Sequence, residues 1–386
     1  MRSFQHVSPP LRVFHGPDSL QSLGSELDRV KSRHAVIFCG SSLARKGTQI
    51  DLIRAAMGER CAGVFAGVRA HSPLPAVEEA AQALQRLQAD AVIAVGGGSA
   101  IVTARAASIL VAEANGARNL CTTRDENGHL RSPKLLAPKM PQLVIPTTPT
   151  TAAVKAGSAV FDTVDKKRLA LFDPKTRAQA VFIHPGLLKS APRELIASAA
   201  LNTYAMAVEG LLSRAGQPLA DALLMHALRL LARHLPNPAF HEDAGALGEI
   251  MLAAVLCGQG TDYTGGGITL VLGHAISAGY HVDNGVANAL VLPHALRFNG
   301  DAAVEGLAKV AASLGLPSST NADAVIEAVA SVWRELGIPR RLRDAGVPRE
   351  KLSDIAASVI DDWFLRGNSR PVRDVSELRQ ILEEAW

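Results

Sequence analysis

Asp90-Ala91-Val92-Ile93-Ala94-Val95-Gly96-Gly97-Gly98-Ser99-Ala100-Ile101 is an apolar run closed by three glycines and followed by residues that suit the start of a helix. A short continuous apolar run bounded by glycine is consistent with a strand buried on both faces, as in a parallel sheet. Glycines at such a junction let the backbone approach a pyrophosphate, and the free N–H groups at a helix N-terminus attract its charge. Glycine-rich turns are common on their own, so the motif gains weight from lying between a strand and a helix. It nominates Gly96, Gly97, Gly98 and Ser99 as dinucleotide-binding residues.

Around this motif, β-rich runs alternate with helical patterns through the first half of the chain, as in a parallel sheet covered on both faces. The expected strands are Ala35 to Cys39, Gly63 to Val68, Ala91 to Val95, Leu143 to Pro146 and Val181 to His184. A helix is expected after His71-Ser72-Pro73, with apolar residues at helical spacing through Val77 to Leu84. Beyond Pro185 the β signal fades. Long amphipathic patterns take over, among them Leu219 to His234, Ala302 to Leu314 and Asn321 to Leu336. The expected architecture is an N-terminal Rossmann-like α/β domain over residues 1–184, then an all-α substrate domain over residues 185–386. The boundary is placed at His184-Pro185-Gly186, and the two halves are expected to enclose a cleft where cofactor meets substrate.

Bulk properties fit an enzyme of the cytoplasm. A length of 386 residues with 48% hydrophobic and 20% charged residues is enough for two sizeable cores. The formal net charge of +4 is small and spread along the chain, which argues against nucleic acid as a partner. No uninterrupted apolar window of about 18 residues suggests a membrane span, and Met1 to His6 lacks the apolar core of a signal peptide. The four cysteines, Cys39, Cys61, Cys121 and Cys257, form no C-x-x-C pair and are expected to stay reduced.

A second stretch, Leu270 to Asn299, reads LVLGHAISAGYHVDNGVANALVLPHALRFN. It resembles the iron-containing alcohol dehydrogenase family, in which a pattern of the type H-x3-H-x9-HG-x3-A-x2-LPH supplies two imidazole ligands. Gly285, Ala289 and Leu292-Pro293-His294 match, but the two ligand positions hold Leu270 and Asn284. The family's other two ligands come from a D-A-x-x-H-A-x-E-type helix. Here that helix reads Asn202-Thr203-Tyr204-Ala205-Met206-Ala207-Val208-Glu209, with Asn202 for the carboxylate and Met206 for the imidazole. All four metal-ligand positions are changed together, so the resemblance comes with the expectation that the metal has been abandoned. In this respect the chain is nearest to the maleylacetate reductases of the same family.

The resemblance spans nearly the whole chain. Arg12-Val13-Phe14-His15-Gly16-Pro17 is similar to the family's opening strand and turn, and Gln142 to Thr148 to its second cofactor loop, adding Thr147 and Thr148 to the cofactor contacts. Asn368-Ser369-Arg370-Pro371 is similar to the family's NPRP segment. Departures gather around the chemistry. Where the family usually has A-G-T-G-S-E after the loop, this chain has Pro149-Thr150-Thr151-Ala152-Ala153-Val154, and the Asp and Lys that usually follow GGGS are Val102 and Arg105. The implied fold is the one shared with dehydroquinate synthase. Homodimers are common in the family, so a homodimer is expected by analogy.

The residue ending the second strand of such a domain commonly selects the cofactor, because a carboxylate there binds the ribose hydroxyls and repels a 2′-phosphate. This chain has Gly40 in that position, followed by Ser41, Ser42, Leu43, Ala44, Arg45 and Lys46. Glycine removes the repulsion, the serines offer donors and Arg45 or Lys46 offers charge, so NADP(H) is expected over NAD(H). The plainer alternative is an ordinary turn with a solvated basic pair.

Without a metal, hydride transfer requires a substrate that is already electrophilic, such as an enone, an iminium ion or an activated carbonyl, or else donors from the protein. His274 matches the family's second histidine, which stands beside the metal without binding it, and is a candidate proton donor or orienting group. A histidine on an apolar helix face is otherwise a structural residue. Tyr280 and His281, with Asp283, form a second polar group that serves equally well as helix-end capping. Lys155 follows the second cofactor loop, where a cation can hold a substrate carboxylate, although lysines ordinarily face solvent. Were His274 and His281 on one helix face, about 10.5 Å of rise would separate them, too far for one ion. The expected activity is therefore metal-independent NAD(P)H-dependent reduction of an activated small molecule. Maleylacetate reduction and a catalytically silent NADPH-binding sensor or scaffold are the alternatives.

Overall fold

The computed structural model describes residues 3–126 and 129–386. The chain forms two compact units, Ser8–Ser190 and Ala191–Trp386, and the second also takes up residues 3–7. The division lies just past His184, because the short helix that follows still lends Leu187 to the core beneath the sheet.

In the α/β unit the strands are β1 (Arg12–His15), β2 (Ala35–Gly40), β3 (Cys61–Val68), β4 (Ala91–Gly96), β5 (Thr123–Arg124), β6 (Leu130–Arg131), β7 (Gln142–Pro146), β8 (Gly157–Asp162), β9 (Lys167–Phe172) and β10 (Ala178–Ile183). Its helices are α1 (Leu23–Arg29), α2 (Ser41–Lys46), α3 (Thr48–Met57), α4 (Leu74–Arg86), α5 (Gly98–Glu113), α6 (Ala117–Leu120) and α7 (Pro185–Leu188). Six strands make one parallel sheet in the order β1-β10-β7-β4-β2-β3. The first five residues of β2 and β4 and all of β7 are buried, as helices on both faces of a parallel sheet require. The order places the C-terminal ends of β7, β4 and β2 side by side, where open parallel sheets bind their ligands.

Each expected strand is present, with shifted ends. The last begins earlier, at Ala178, and stops before His184. The antiparallel hairpin of β8 and β9 was not foreseen. Its signal is the alternation of β9, in which Leu169 and Leu171 are buried between exposed neighbours.

The helical unit contains α8 (Arg193–Leu212), α9 (Pro218–His234), α10 (Ala244–Thr264), α11 (Ile268–Tyr280), α12 (Asn284–Asn299), α13 (Val304–Ser313), α14 (Ala322–Ser331), α15 (Leu352–Val359) and α16 (Val375–Ala385). The helix expected over Asn321 to Leu336 is interrupted, since α14 stops at Ser331 and a separate 3₁₀ turn covers Arg334–Leu336. Helices α8 and α10 are long and apolar enough to cross a membrane by composition. Their most apolar windows are 78% and 67% buried inside the fold, which marks them as core helices. All four cysteines are free.

Candidate functional site

In the α/β unit, the glycine turn joins β4 to α5. Gly96, in register with Pro146 of β7, has φ +142, a conformation that favours glycine. A Cβ on Gly97 would lie 2.9 Å from Thr148 Oγ1, and one on Gly98 would lie 3.3 Å from Thr150 Oγ1. The second loop therefore rests directly on the glycine turn, and the Thr147 N–H donates to the Gly96 carbonyl at 3.0 Å. Thr147 and Thr148 are both buried in this contact. Gly98 and Ser99 open α5, so their N–H groups belong to the uncapped first turn that a pyrophosphate can use. The Ser99 hydroxyl is engaged elsewhere: it accepts the His71 N–H at 3.1 Å and so ties down the turn before α4.

Arg105, fully buried on α5, donates to the carbonyls of Ala152 at 2.7 Å and Gly157 at 2.6 Å. Arg177 holds the Val154 carbonyl at 2.7 Å. Half-buried Lys155 thus sits on a segment braced by two guanidinium groups. At the neighbouring strand end, Gly40 closes β2 and precedes α2, with Ser41 and Ser42 exposed on its first turn and no acidic residue there. Lys46 donates to the Ser190 carbonyl at 2.9 Å, which leaves exposed Arg45 as the better candidate for a phosphate contact.

In the helical unit, α8, α11 and α12 meet through two glycines. A Cβ on Gly285 would stand 1.7 Å from the Ser198 carbonyl oxygen of α8, and one on Gly273 would stand 1.8 Å from Asn288 Oδ1. Only glycine permits either approach. The approach brings three amides together: Asn202 Oδ1 accepts from Asn284 Nδ2 and from Asn288 Nδ2, each at 2.8 Å. Asn202 Nδ2 in turn points at Met206 Sδ, 3.7 Å away. Asn284 Oδ1 and Asn288 Oδ1 are buried and lack hydrogen-bond partners. An unsatisfied buried acceptor costs about 1–3 kcal/mol.

Glu209, one helical turn past Met206 on α8, caps α11. Its carboxylate accepts from the N–H groups of Thr269 (2.6 Å), Gly267 (3.1 Å) and Leu270 (3.2 Å). Burial pushes this carboxyl above its ordinary pKa, against the downward pull of the three N–H groups. Leu270 is thereby fixed on the first turn of α11 with its side chain buried. Asn368, from the NSRP segment, pairs reciprocally with Asn299 at the end of α12, at 2.7 and 3.5 Å.

These residues do not fit the metal that the family pattern implies. Asn202 and Asn284 are joined by a direct hydrogen bond, whereas an ion bound by both would need a contact of about 2.0–2.2 Å to each in place of that bond. Met206 contributes a thioether and Leu270 only hydrocarbon. Among the described residues no group of three or more His, Cys, Asp or Glu is placed to hold a metal ion.

His274 lies on α11, one turn after Leu270, and is half-buried. Tyr280 is the last residue of α11 and packs on the helical core. His281 is exposed and left-handed, with φ +54, and ends the helix. The notion that His274 and His281 share a helix face therefore fails, because the backbone turns away at His281. Asp283 stands just before α12 without a side-chain cap bond. His294 faces Glu384 at 3.8 Å, and burial lowers its pKa. The sequence reading missed Asn288, although its signal was present: it follows Asn284 by four positions, on the same helix face.

With this geometry in place, the comparisons with known proteins are direct. Residues 10–185 match the iron-containing alcohol dehydrogenase family and residues 196–386 match the C-terminal part of the Fe-containing alcohol dehydrogenase family. The chain belongs to that family. Lactaldehyde reductase of Escherichia coli (strain K12) is 29% identical over 336 residues, covering 84% of each chain. Maleylacetate reductase of Sphingobium indicum is 28% identical over 311 residues, covering 79% of this chain and 78% of the relative. In fold, the chain superposes on the crystal structure of 1,3-propanediol oxidoreductase with a TM-score of 0.91 at 24% identity, over 100% of both chains.

The contact at Gly285 generates a stability prediction. Gly285→Ala must push α12 off the α8 backbone, since the clashing atom is a carbonyl oxygen that cannot rotate away. A loss of about 1–3 kcal/mol or more is expected, read as a lower melting transition in calorimetry. An unchanged transition would show that the helices separate freely at this point.

Proposed function

We propose that this chain is a metal-independent, NADPH-preferring reductase that transfers a hydride to a small organic substrate already electrophilic enough to accept it. The observation that carries this reading is the pairing of an intact dinucleotide turn with an amide hydrogen bond where the family pattern has ligands. A metal would lend several kcal/mol of stabilisation to a developing alkoxide. Where it is missing, an iminium ion, an enone or an activated carbonyl must bring that reactivity itself.

In this reading Gly96, Gly97 and Gly98 admit the pyrophosphate, with Ser99, Thr147 and Thr148 shaping the turn. Gly40, Ser41, Ser42 and Arg45 receive the adenosine ribose and its 2′-phosphate. His274 orients or protonates the substrate, Lys155 holds an anionic substituent, and Tyr280 and His281 are auxiliary donors. A homodimer in the cytoplasm completes the proposal. A second reading, maleylacetate reductase itself, is favoured by relatives of that name at 26–28% identity. Turnover of maleylacetate against other activated electrophiles, followed by NADPH oxidation, separates the two. Binding of NADPH with no turnover of any electrophile would point instead to a sensor.

Three outcomes are expected. Purified protein should contain no stoichiometric iron or zinc by elemental analysis and should keep its activity in chelator; one bound metal per chain whose removal abolishes activity would overturn the proposal. NADPH should bind more tightly than NADH, and Gly40→Asp should reverse the preference. The nearest atom to a Cβ at Gly40 is the Val68 carbonyl oxygen at 3.8 Å, so the new side chain fits and acts through its charge. Equal wild-type affinities would sink this assignment. Finally, His274→Ala should leave NADPH binding nearly intact while turnover falls at least about tenfold, and by about 10²–10⁴-fold where the imidazole is the proton donor. Wild-type turnover in that variant would make His274 structural.

A further inference from the structure

The residues that directly follow β2, β4, β7 and β10 are Ser41, Gly97, Thr147 and His184. They stand in one row along the carboxyl edge of the sheet. Three positions earlier, Phe38 is in register with Ala94, Ala94 with Val144, and Val144 with Val181. The strands are neighbours in that same order, so His184 lies two strand spacings, about 10 Å, from Gly97. Of the four, only His184 carries a ring with nitrogen atoms.

That ring is half-buried and divided between two environments. A Cβ on Gly186 would stand 3.1 Å from His184 Cε1 and 3.4 Å from Nδ1, so this side of the imidazole folds over its own chain. Nδ1 is buried there and has no hydrogen-bond partner. His184 holds the N-cap position of α7 yet makes no side-chain cap bond to it. An unpaired buried nitrogen weakens a fold, so hydrogen bonding within the chain gives no reason for an imidazole here. Nδ1 is the enclosed nitrogen, and the exposed part of the ring carries Nε2.

Resting on the reading of this chain as an NADP(H)-dependent reductase, we propose that His184 Nε2 hydrogen-bonds the carboxamide of the nicotinamide ring and so sets the rotation of that ring. The direction of the dinucleotide along the row follows from its other parts. In that reading the adenosine ribose goes to Ser41 and its neighbours past β2, and the pyrophosphate to Gly97 past β4. The remaining half, ribose and nicotinamide, then extends past β7 toward β10, along the edge where parallel sheets bind their ligands. A neutral imidazole presents either an N–H or a lone pair at Nε2. A carboxamide offers both an accepting oxygen and a donating amino group, so the pair forms with either tautomer. A nicotinamide held by its carboxamide no longer turns about its glycosidic bond, and one face of C4 is offered for hydride transfer. His184 therefore orients the cofactor and exchanges neither proton nor hydride.

The test uses the full-length protein and two probes titrated calorimetrically: NADP⁺, and 2′-phospho-ADP-ribose, the same molecule without its nicotinamide. His184→Phe keeps a ring over Gly186 and removes both nitrogens. It should bind NADP⁺ about 3- to 10-fold more weakly, the loss expected of one neutral hydrogen bond, and bind 2′-phospho-ADP-ribose as the wild type does. It should also melt no lower than the wild type, since Nδ1 has no partner to lose. His184→Gln sets an amide nitrogen near the place of Nε2 and should restore most of the affinity for NADP⁺. His184→Asn, whose amide reaches only the place of Nδ1, should not. Wild-type affinity for NADP⁺ in His184→Phe, or an equal loss for both probes, overturns the assignment of His184 and leaves the reductase reading standing. Should His184→Phe fail to fold, equal NADP⁺ affinities of the Gln and Asn variants overturn it in the same way. Wild-type protein that binds neither probe removes the reductase reading itself, and the assignment of His184 with it.

Discussion

The contact between the first turn of α12 and the backbone of α8 is the constraint on which the helical unit's chemistry depends. Gly285 places α12 against the Ser198 carbonyl, at a distance no side chain would tolerate. Two residues that the sequence sets 82 positions apart, Asn202 and Asn284, are thereby brought within hydrogen-bond reach. Gly273 does the same for α11 and Asn288. Tight backbone approach converts three separate amides into one cluster of defined polarity, and it does so in a core too dense to let the helices drift.

Glu209 supplies the complementary restraint. Three backbone N–H groups at the start of α11 would be orphaned in a buried setting, and this one carboxylate accepts all of them. The register of α11 is thereby set, which fixes where Leu270 and His274 fall. The family pattern keeps an acidic residue at this point of the helix while its ligand positions have changed in this chain. Family membership and fold therefore persist beside ligand positions that hold other side chains.

The α/β unit follows the same logic with different materials. Its glycine turn is crowded from one side by the hydroxyls of Thr148 and Thr150. Arg105 stands where the family pattern has lysine, and its fork reaches two carbonyls beyond the second loop. A planar guanidinium can span two acceptors in this way, which a single ammonium group does less well. The segment after the second loop is braced from within α5 by this one side chain.

Much of this was legible in the sequence. Apolar runs ending in glycine marked β2 and β4, because burial on both faces leaves no room for alternation. The GGGS turn, the second loop and the HG-to-LPH spacing identified the family, and the four altered ligand positions were visible as plain substitutions. The hairpin of β8 and β9 was passed over, since a two-stranded hairpin outside the main sheet carries a weak pattern. Residue type and local spacing alone therefore determined the fold class, the family and the identity of the side chains at the four ligand positions. Only the tertiary structure decided that Asn288 joins Asn202 and Asn284, that Ser99 is committed to a neighbouring turn, and that His281 leaves the helix on which His274 sits. Each of these depends on the direction of a side chain or a backbone turn set by partners distant in sequence, and hydrogen bonds across such distances leave no periodicity to read.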